Sequence, residues 1–321
     1  MDDLYLDNTT EAFIIDVYTI GYQKQGESIY ISLKTNNEQF FYDILIDCYR
    51  TDKNRTMELL NMIKNNNCIN CICLSHYHDD HIVGLEEIIE EYSKINTDIL
   101  IPDVDCEESL SNEAKSIRNK IAYLRKNGKR NYGSIHKISD PKIVLNNSIY
   151  IENRKFDFEV LALSPLSNIT IRNVGKNAKD IEQNDYTISL IIKLGAVKLL
   201  FTGDIMNNTL SHISNIDDVN YIKIPHHGSM DSNKLLNVIN INKDTVCVTT
   251  NYKPSNLPNK NLLNEYIERT DDVYITSDNS LDDYGIVHTR YIINLENNEV
   301  LFDTECLKNS RRYIKEQIWD M

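Results

Sequence analysis

The chain has 321 residues, of which 41% are hydrophobic and 26% charged, and a net charge of −14. That balance excludes a disordered or fibrous chain and suits a globular protein long enough to bury a large core. The negative charge argues against a broad electrostatic grip on nucleic acid, because phosphates are held by Lys and Arg. No apolar run approaches the ~18 residues of a membrane-spanning helix, and the acidic start Met1-Asp2-Asp3 carries no signal region, so a soluble, cytoplasmic protein is expected.

Strands are expected at residues 12–20, 28–35 and 39–48, which are rich in Ile, Val, Tyr and Phe. Asp47 ends the apolar Ile44-Leu45-Ile46. A short helix at 56–65 places Leu59, Leu60 and Ile63 on one face, and a strand at 71–75 runs into His76-Tyr77-His78-Asp79-Asp80-His81. Clustered imidazoles and carboxylates suit a borderline divalent cation such as Zn²⁺ or Mn²⁺. His76 and His78 are two apart, so an extended backbone points both to one side. Asp80 and His81 sit where a loop turns into a helix and aim at a second position nearby.

Beyond the cluster, Ile82, Leu85, Ile88, Ile89 and Tyr92 repeat at helical spacing. A strand is expected at 99–102, then a helix at 107–126 with Leu110, Ala114, Ile117, Ile121 and Leu124 as one apolar stripe, stopped by Gly128. Arg118, Lys120, Arg125, Lys126, Lys129 and Arg130 form a basic stretch, read as a solvated face rather than a nucleic-acid path. From there to Asp140 the chain reads as loop, and His136 stands apart from any ligand spacing.

Strand text at 155–163 precedes a polar, irregular segment at 173–185, a candidate active-site loop. A hairpin at 186–194 and 198–202 turns at Gly195-Ala196 and ends in Thr202-Gly203-Asp204. Lys223-Ile224-Pro225-His226-His227-Gly228-Ser229 follows. Strands at 245–250 and 273–276 flank a helix at 262–269, and a second hairpin at 291–295 and 300–303 turns at Asn297-Asn298. The residues after 304 read as a short polar helix. The seven cysteines, Cys68 and Cys71 included, read as buried reduced thiols rather than a metal or redox site.

His-x-His-x-Asp-His between an apolar strand and an apolar helix resembles the metallo-β-lactamase superfamily. Leu163-Ser164-Pro165, Thr202-Gly203-Asp204 and Pro225-His226-His227-Gly228-Ser229 make residues 12–296 similar to the metallo-β-lactamase domain of the competence protein ComEC and its soluble relatives. The resemblance implies an α/β fold built as a four-layer αβ/βα sandwich, with residues 1–305 as one domain and 306–321 as a short helical tail. It implies two divalent metal ions, Zn²⁺ or Mn²⁺. His76 and His78 take site one, Asp80 and His81 take site two, and Asp204 bridges them. One of His226 and His227 completes site two, and the other braces the site or meets substrate.

Asp47 is implied to brace the ligand loop, and Asp80, His227 and Asn184 are the catalytic candidates. His136 is the only histidine between the 107–126 helix and the Thr202-Gly203-Asp204 strand end, and Asn251-Tyr252-Lys253-Pro254 lacks a histidine that the ComEC branch carries. The implied reaction is hydrolysis by a metal-bound hydroxide, with a phosphodiester as substrate and nucleic acid among the candidates. A lactone, thioester or phosphorylcholine ester is the alternative substrate, and an inactive metal-binding or interaction module the alternative of another class. No membrane partner is expected. Ser229 is implied to contact substrate or brace the site rather than act as a nucleophile, and His212 and His288 read as structural.

Overall fold

The computed structural model describes residues 3–64, 68–93, 96–104, 107–126, 133–277 and 283–315. The chain folds into two mixed sheets with helices. β1 is Leu4–Tyr5, and β2 (Ala12–Tyr22), β3 (Glu27–Thr35) and β4 (Phe40–Ile46) form an antiparallel meander. After α1 (Arg55–Ile63), capped by the Asn54 side chain accepting from Met57 N–H, β5 (Cys71–Cys73) adds parallel to β4. Then come α2 (Asp79–Ile82), α3 (Leu85–Tyr92), β6 (Asp98–Pro102), α4 (Asn112–Lys126), β7 (Ile135–Ile138), β8 (Lys142–Ile151) and β9 (Arg154–Ala162).

The second half runs through α5 (Ser167–Thr170), β10 (Leu190–Leu194), β11 (Val197–Phe201), α6 (Asn207–Leu210), β12 (Tyr221–Lys223), α7 (Leu235–Val238) and β13 (Val246–Thr249). It closes with α8 (Lys260–Ile267), β14 (Val273–Ile275), β15 (Tyr284–Asn294), β16 (Val300–Lys308) and β17 (Arg311–Arg312). One sheet has the order β1-β8-β9-β10-β11-β12-β13-β14-β17, the other β16-β15-β2-β3-β4-β5-β6-β7. Strands β4 to β7 are parallel, and so are β11 to β14.

The alternation of side chains along these strands sorts the core. Ile44 and Ile46 of one sheet share a cluster with Leu199, Phe201, Val246 and Val248 of the other. The intervening Leu45 packs with Leu60, Ile88, Ile89, Ile117 and Ile121 of the helices. Leu200 and Cys247 likewise turn to Leu235, Leu262 and Tyr266. Both faces of the central strands are therefore buried, which explains their unbroken apolar text.

Several expectations are corrected. The segment expected as loop contains β7, whose His136 pairs in register with Leu100 and lies 3.7 Å from Asp98. β8 has no expected counterpart, because Asn146-Asn147 interrupts its apolar pattern; its ladder with β9 holds it. The tail expected to be helical from 306 is strand through Lys308 and again at Arg311–Arg312, because β16 pairs with β15 as far as Lys308 opposite Gly285. Residues 316–321 lie outside the described residues, as do Cys106, Gly128, Lys129, Arg130 and the Arg125 side chain. Among the described residues no helix is long and apolar enough to cross a membrane, and Cys48, Cys71, Cys73 and Cys247 are buried free thiols.

Candidate metal centre

The chemistry-bearing residues meet where the parallel strands of both sheets end. Asp47 follows β4, His76 to His81 follow β5, Asp204 follows β11, and His226 and His227 follow β12. A strand's carboxyl end is where a chain can leave the sheet in a loop and still be held by it, and in α/β sheets ligands gather there. Three backbone positions at these exits are left-handed without being glycine: Asp47 (φ 59°), His226 (φ 49°) and His227 (φ 52°). Such conformations cost about 1–2 kcal/mol per residue, and they cluster at sites whose surroundings over-determine them.

Asp204 is the hub. Its buried Oδ2 lies 3.8 Å from His76 Nε2, 3.5 Å from His81 Nε2, 3.7 Å from His227 Nε2 and 4.0 Å from His226 Nε2. On one side His76 Nε2 faces His78 Nδ1 at 3.0 Å, so His76, His78 and Asp204 converge as one donor set. On the other, Asp80 Oδ2 lies 3.1 Å from His227 Nε2 and 3.6 Å from His81 Nε2. Two donors on one cation, each about 2.0–2.2 Å from it, sit about 3–3.5 Å apart; the shortest approach in each set, 3.0 and 3.1 Å, falls in that span, and those to Asp204 run from 3.5 to 3.8 Å.

Asp47 braces both sets. Its Oδ2 lies 2.8 Å from His81 Nδ1 and accepts from Ser75 Oγ at 2.6 Å, while Oδ1 accepts from Ser75 N–H at 2.7 Å. Ser75 Oγ, its proton given to Asp47, accepts from His76 Nδ1 at 3.0 Å. Both imidazoles are thereby held with hydrogen on Nδ1 and Nε2 turned to Asp204.

Electrostatics favour a cation here. Burial, with His81 and His78 beside it, holds His76 well below the usual histidine range, so it is a neutral donor. Burial also disfavours charge on His81, but Asp204, Asp80, Asp47 and Glu27 outweigh it and hold His81 well above that range. Asp204 and Asp80 resist the upward push of burial because the imidazoles around them hold them well below the carboxylate range. Buried anions at this density need positive charge among them. His81 Nε2 and Asp204 Oδ1 are buried without a hydrogen-bond partner among the described residues, as coordination positions would be.

Glu27, His81 and His227 also converge. That set uses the Nδ1 side, where Glu27 Oε1 is 3.8 Å from His81 and Oε2 is 3.7 Å from His227. Those nitrogens are already taken, His81 by Asp47 and His227 by Thr250 Oγ1 at 2.7 Å, and Lys223 Nζ stands 2.7 Å from Glu27. An ammonium in that place leaves no room for a second cation.

A cavity of about 550 Å³ opens over the cluster, lined by His78, Asp80, Asp204, His226 and His227 together with Tyr77, Gln25, Gln183, Tyr252 and serines 109, 111 and 255. Tyr252 stacks on His227, with centroids 5.2 Å apart. The 173–185 segment reaches the cavity through Gln183, whose Nε2 donates to Ser109 Oγ at 2.6 Å. Asn184 is buried beside it, and its side-chain oxygen has no partner among the described residues; the cavity wall at that point is Gln183.

Ser229 caps the turn at Met230–Ser232 by accepting from Asp231 N–H at 3.2 Å. His288 is bound to Asp16 at 2.8 Å, and His136 sits on β7, apart from the donor sets. Arg118 lies over the Tyr77 ring at 5.8 Å, and Lys120 pairs with Glu90. Sequence reasoning missed Glu27, Lys223 and Thr250. Lys223, a charge between Ile222 and Ile224, was the one signal available.

No family model and no curated protein matches the sequence. Among solved structures, the chain is similar to a protein of Parabacteroides distasonis described only as a proposed metal-dependent hydrolase. The identity is 12% and the TM-score 0.39, over 80% of this chain and 97% of that one.

Proposed function

We propose that this protein is a metal-dependent hydrolase of the metallo-β-lactamase fold that holds two divalent cations and cleaves a phosphodiester. The three larger apolar clusters are then the interfaces of a four-layer αβ/βα sandwich. The observation that carries the reading is Asp204 Oδ2, one carboxylate oxygen within 4.0 Å of four imidazole nitrogens drawn from two loops. His76 and His78 hold the first cation, Asp80, His81 and His227 the second, and Asp204 both. The donor set of imidazole and carboxylate suits Zn²⁺ or Mn²⁺. Bound there, such cations polarise water and neutralise charge on the attacked group.

The chain's own residues do the rest. Asp47 and Ser75 fix the imidazoles, and the half-buried His226 faces the cavity beside Asp204, where it meets substrate. Tyr252, Gln25 and Gln183 supply neutral polar contacts on the cavity wall. The volume suits a small diester, and the net charge weighs against tracking a long nucleic-acid strand.

The test is hydrolysis of bis-p-nitrophenyl phosphate beside p-nitrophenyl esters, by metal-stripped protein reloaded with Zn²⁺ or Mn²⁺, with Asp204→Asn as control. Diester turnover that needs the metal and is lost in the variant supports the reading, and nucleic acids follow as substrates. Ester or lactone turnover alone overturns the phosphodiester assignment. Metal binding without turnover of either class points to a binding module.

A further inference from the structure

Glu27 lies outside every sequence motif, yet it sits at the foot of the site and is fully buried. Its Oε2 is 2.7 Å from Lys223 Nζ, also fully buried, and accepts from Thr250 Oγ1 at 2.7 Å. Thr250 Oγ1 in turn lies 2.7 Å from His227 Nδ1. The chain Lys223–Glu27–Thr250–His227 joins the start of β3 in one sheet to the ends of β12 and β13 in the other.

A hydroxyl has one proton to give. Thr250 gives it to Glu27, so toward His227 it can only accept, and Nδ1 must carry the hydrogen. In the neutral ring Nε2 is then the lone-pair nitrogen, 3.1 Å from Asp80 and 3.7 Å from Asp204. Two acceptors at 3.1 Å repel unless something positive lies between them. We propose that Glu27 is a positioning residue, kept ionised by Lys223, which fixes the hydrogen of His227 on Nδ1 through Thr250 and so aims Nε2 at the second cation. Buried ion pairs contribute little net stability, so a pair at this place is better explained by the histidine it orients. The relay repeats Asp47–Ser75–His76 with a different carboxylate and hydroxyl, and both carboxylates lie on the Nδ1 side of His81.

The inference rests on the metal-centre reading, and the test separates the two. Thr250→Val removes the hydroxyl at nearly constant shape, and Thr250→Ser restores it. Competition with a chromophoric chelator reads Zn²⁺ affinity, and NMR of isotope-labelled histidine reads which nitrogen of His227 carries hydrogen in the metal-free protein above the histidine titration range. We expect Thr250→Val to bind the second Zn²⁺ about 10–100-fold more weakly and to lose the Nδ1–H signal, with Thr250→Ser matching the wild type in both. An unchanged affinity and Nδ1–H signal in folded Thr250→Val overturns the inference, as does a wild-type His227 bare at Nδ1. If the wild type binds no Zn²⁺, the metal reading falls, and the Nδ1–H signal alone decides the relay. If Thr250→Val does not fold, Glu27→Gln carries the same two readouts.

Discussion

Asp47 and His81 face each other at 2.8 Å, carboxylate Oδ2 to imidazole Nδ1, with both side chains fully buried. The same oxygen holds Ser75, and through it His76. One carboxylate thus orients one imidazole in each donor set. Asp47→Asn keeps the shape but offers an amide that can present N–H where the imidazole needs an acceptor. We expect Zn²⁺ affinity to fall about 10–100-fold with the fold retained, read by chelator competition and circular dichroism. Unchanged affinity at both positions would show that the brace is dispensable.

Gly203 places Asp204. Its φ is +52°, and an added Cβ would meet Thr187 Cγ2 at 2.7 Å and Ser75 Cβ at 3.2 Å. Gly203→Ala is therefore expected to cost at least about 1–2 kcal/mol, and to weaken metal binding further by shifting Asp204 and the ligand loop apart. Thermal melts with and without Zn²⁺ measure both. A variant as stable as the wild type, with full metal affinity, contradicts this placement.

Tyr252 covers His227 at the cavity. Aromatic pairs of this kind contribute about 0.5–1.5 kcal/mol, so Tyr252→Ala is expected to lower kcat/KM about threefold to tenfold while metal content stays at the wild-type level. Tyr252→Phe keeps the ring and should stay close to the wild type. Loss of metal in Tyr252→Ala would place the residue in the metal centre rather than against substrate.

Asp16 gives a pH dependence remote from the site. Burial would raise its carboxyl, but hydrogen bonds from His288 (2.8 Å) and Arg290 (2.7 Å) outweigh it and hold the pKa at about 2 against an ordinary 3.8. A folded pKa below the unfolded one stabilises above pH 3.8, and that contribution fades as the pH falls through about 2. It amounts to about 2 kcal/mol at neutral pH. Denaturant melts should show Asp16→Asn destabilised by that order at pH 7, with the gap to the wild type closing in acid. A gap independent of pH would exclude this ion cluster as the cause.

Local text determined what local spacing can report. The clustering of His76, His78, Asp80 and His81 was legible because these candidate donors occupy a few neighbouring positions of one loop. The hairpin about Gly195-Ala196 was legible because a two-residue turn between apolar strands has its own chemistry, and β10 and β11 pair there, Leu194 opposite Val197. Only the tertiary structure decided the supports. Arg290 and His288 look unlike strand residues until Asp16, more than 270 positions away, compensates them across the β2–β15 ladder. His227, rather than His226, brings its Nε2 to Asp80 because the left-handed pair at the end of β12 turns one ring inward and leaves the other half-buried. Glu27 reaches Thr250 across 223 positions. Spacing records period and turns along one segment, whereas a hydrogen-bond partner across two sheets is set by strand order and register, which no single segment contains.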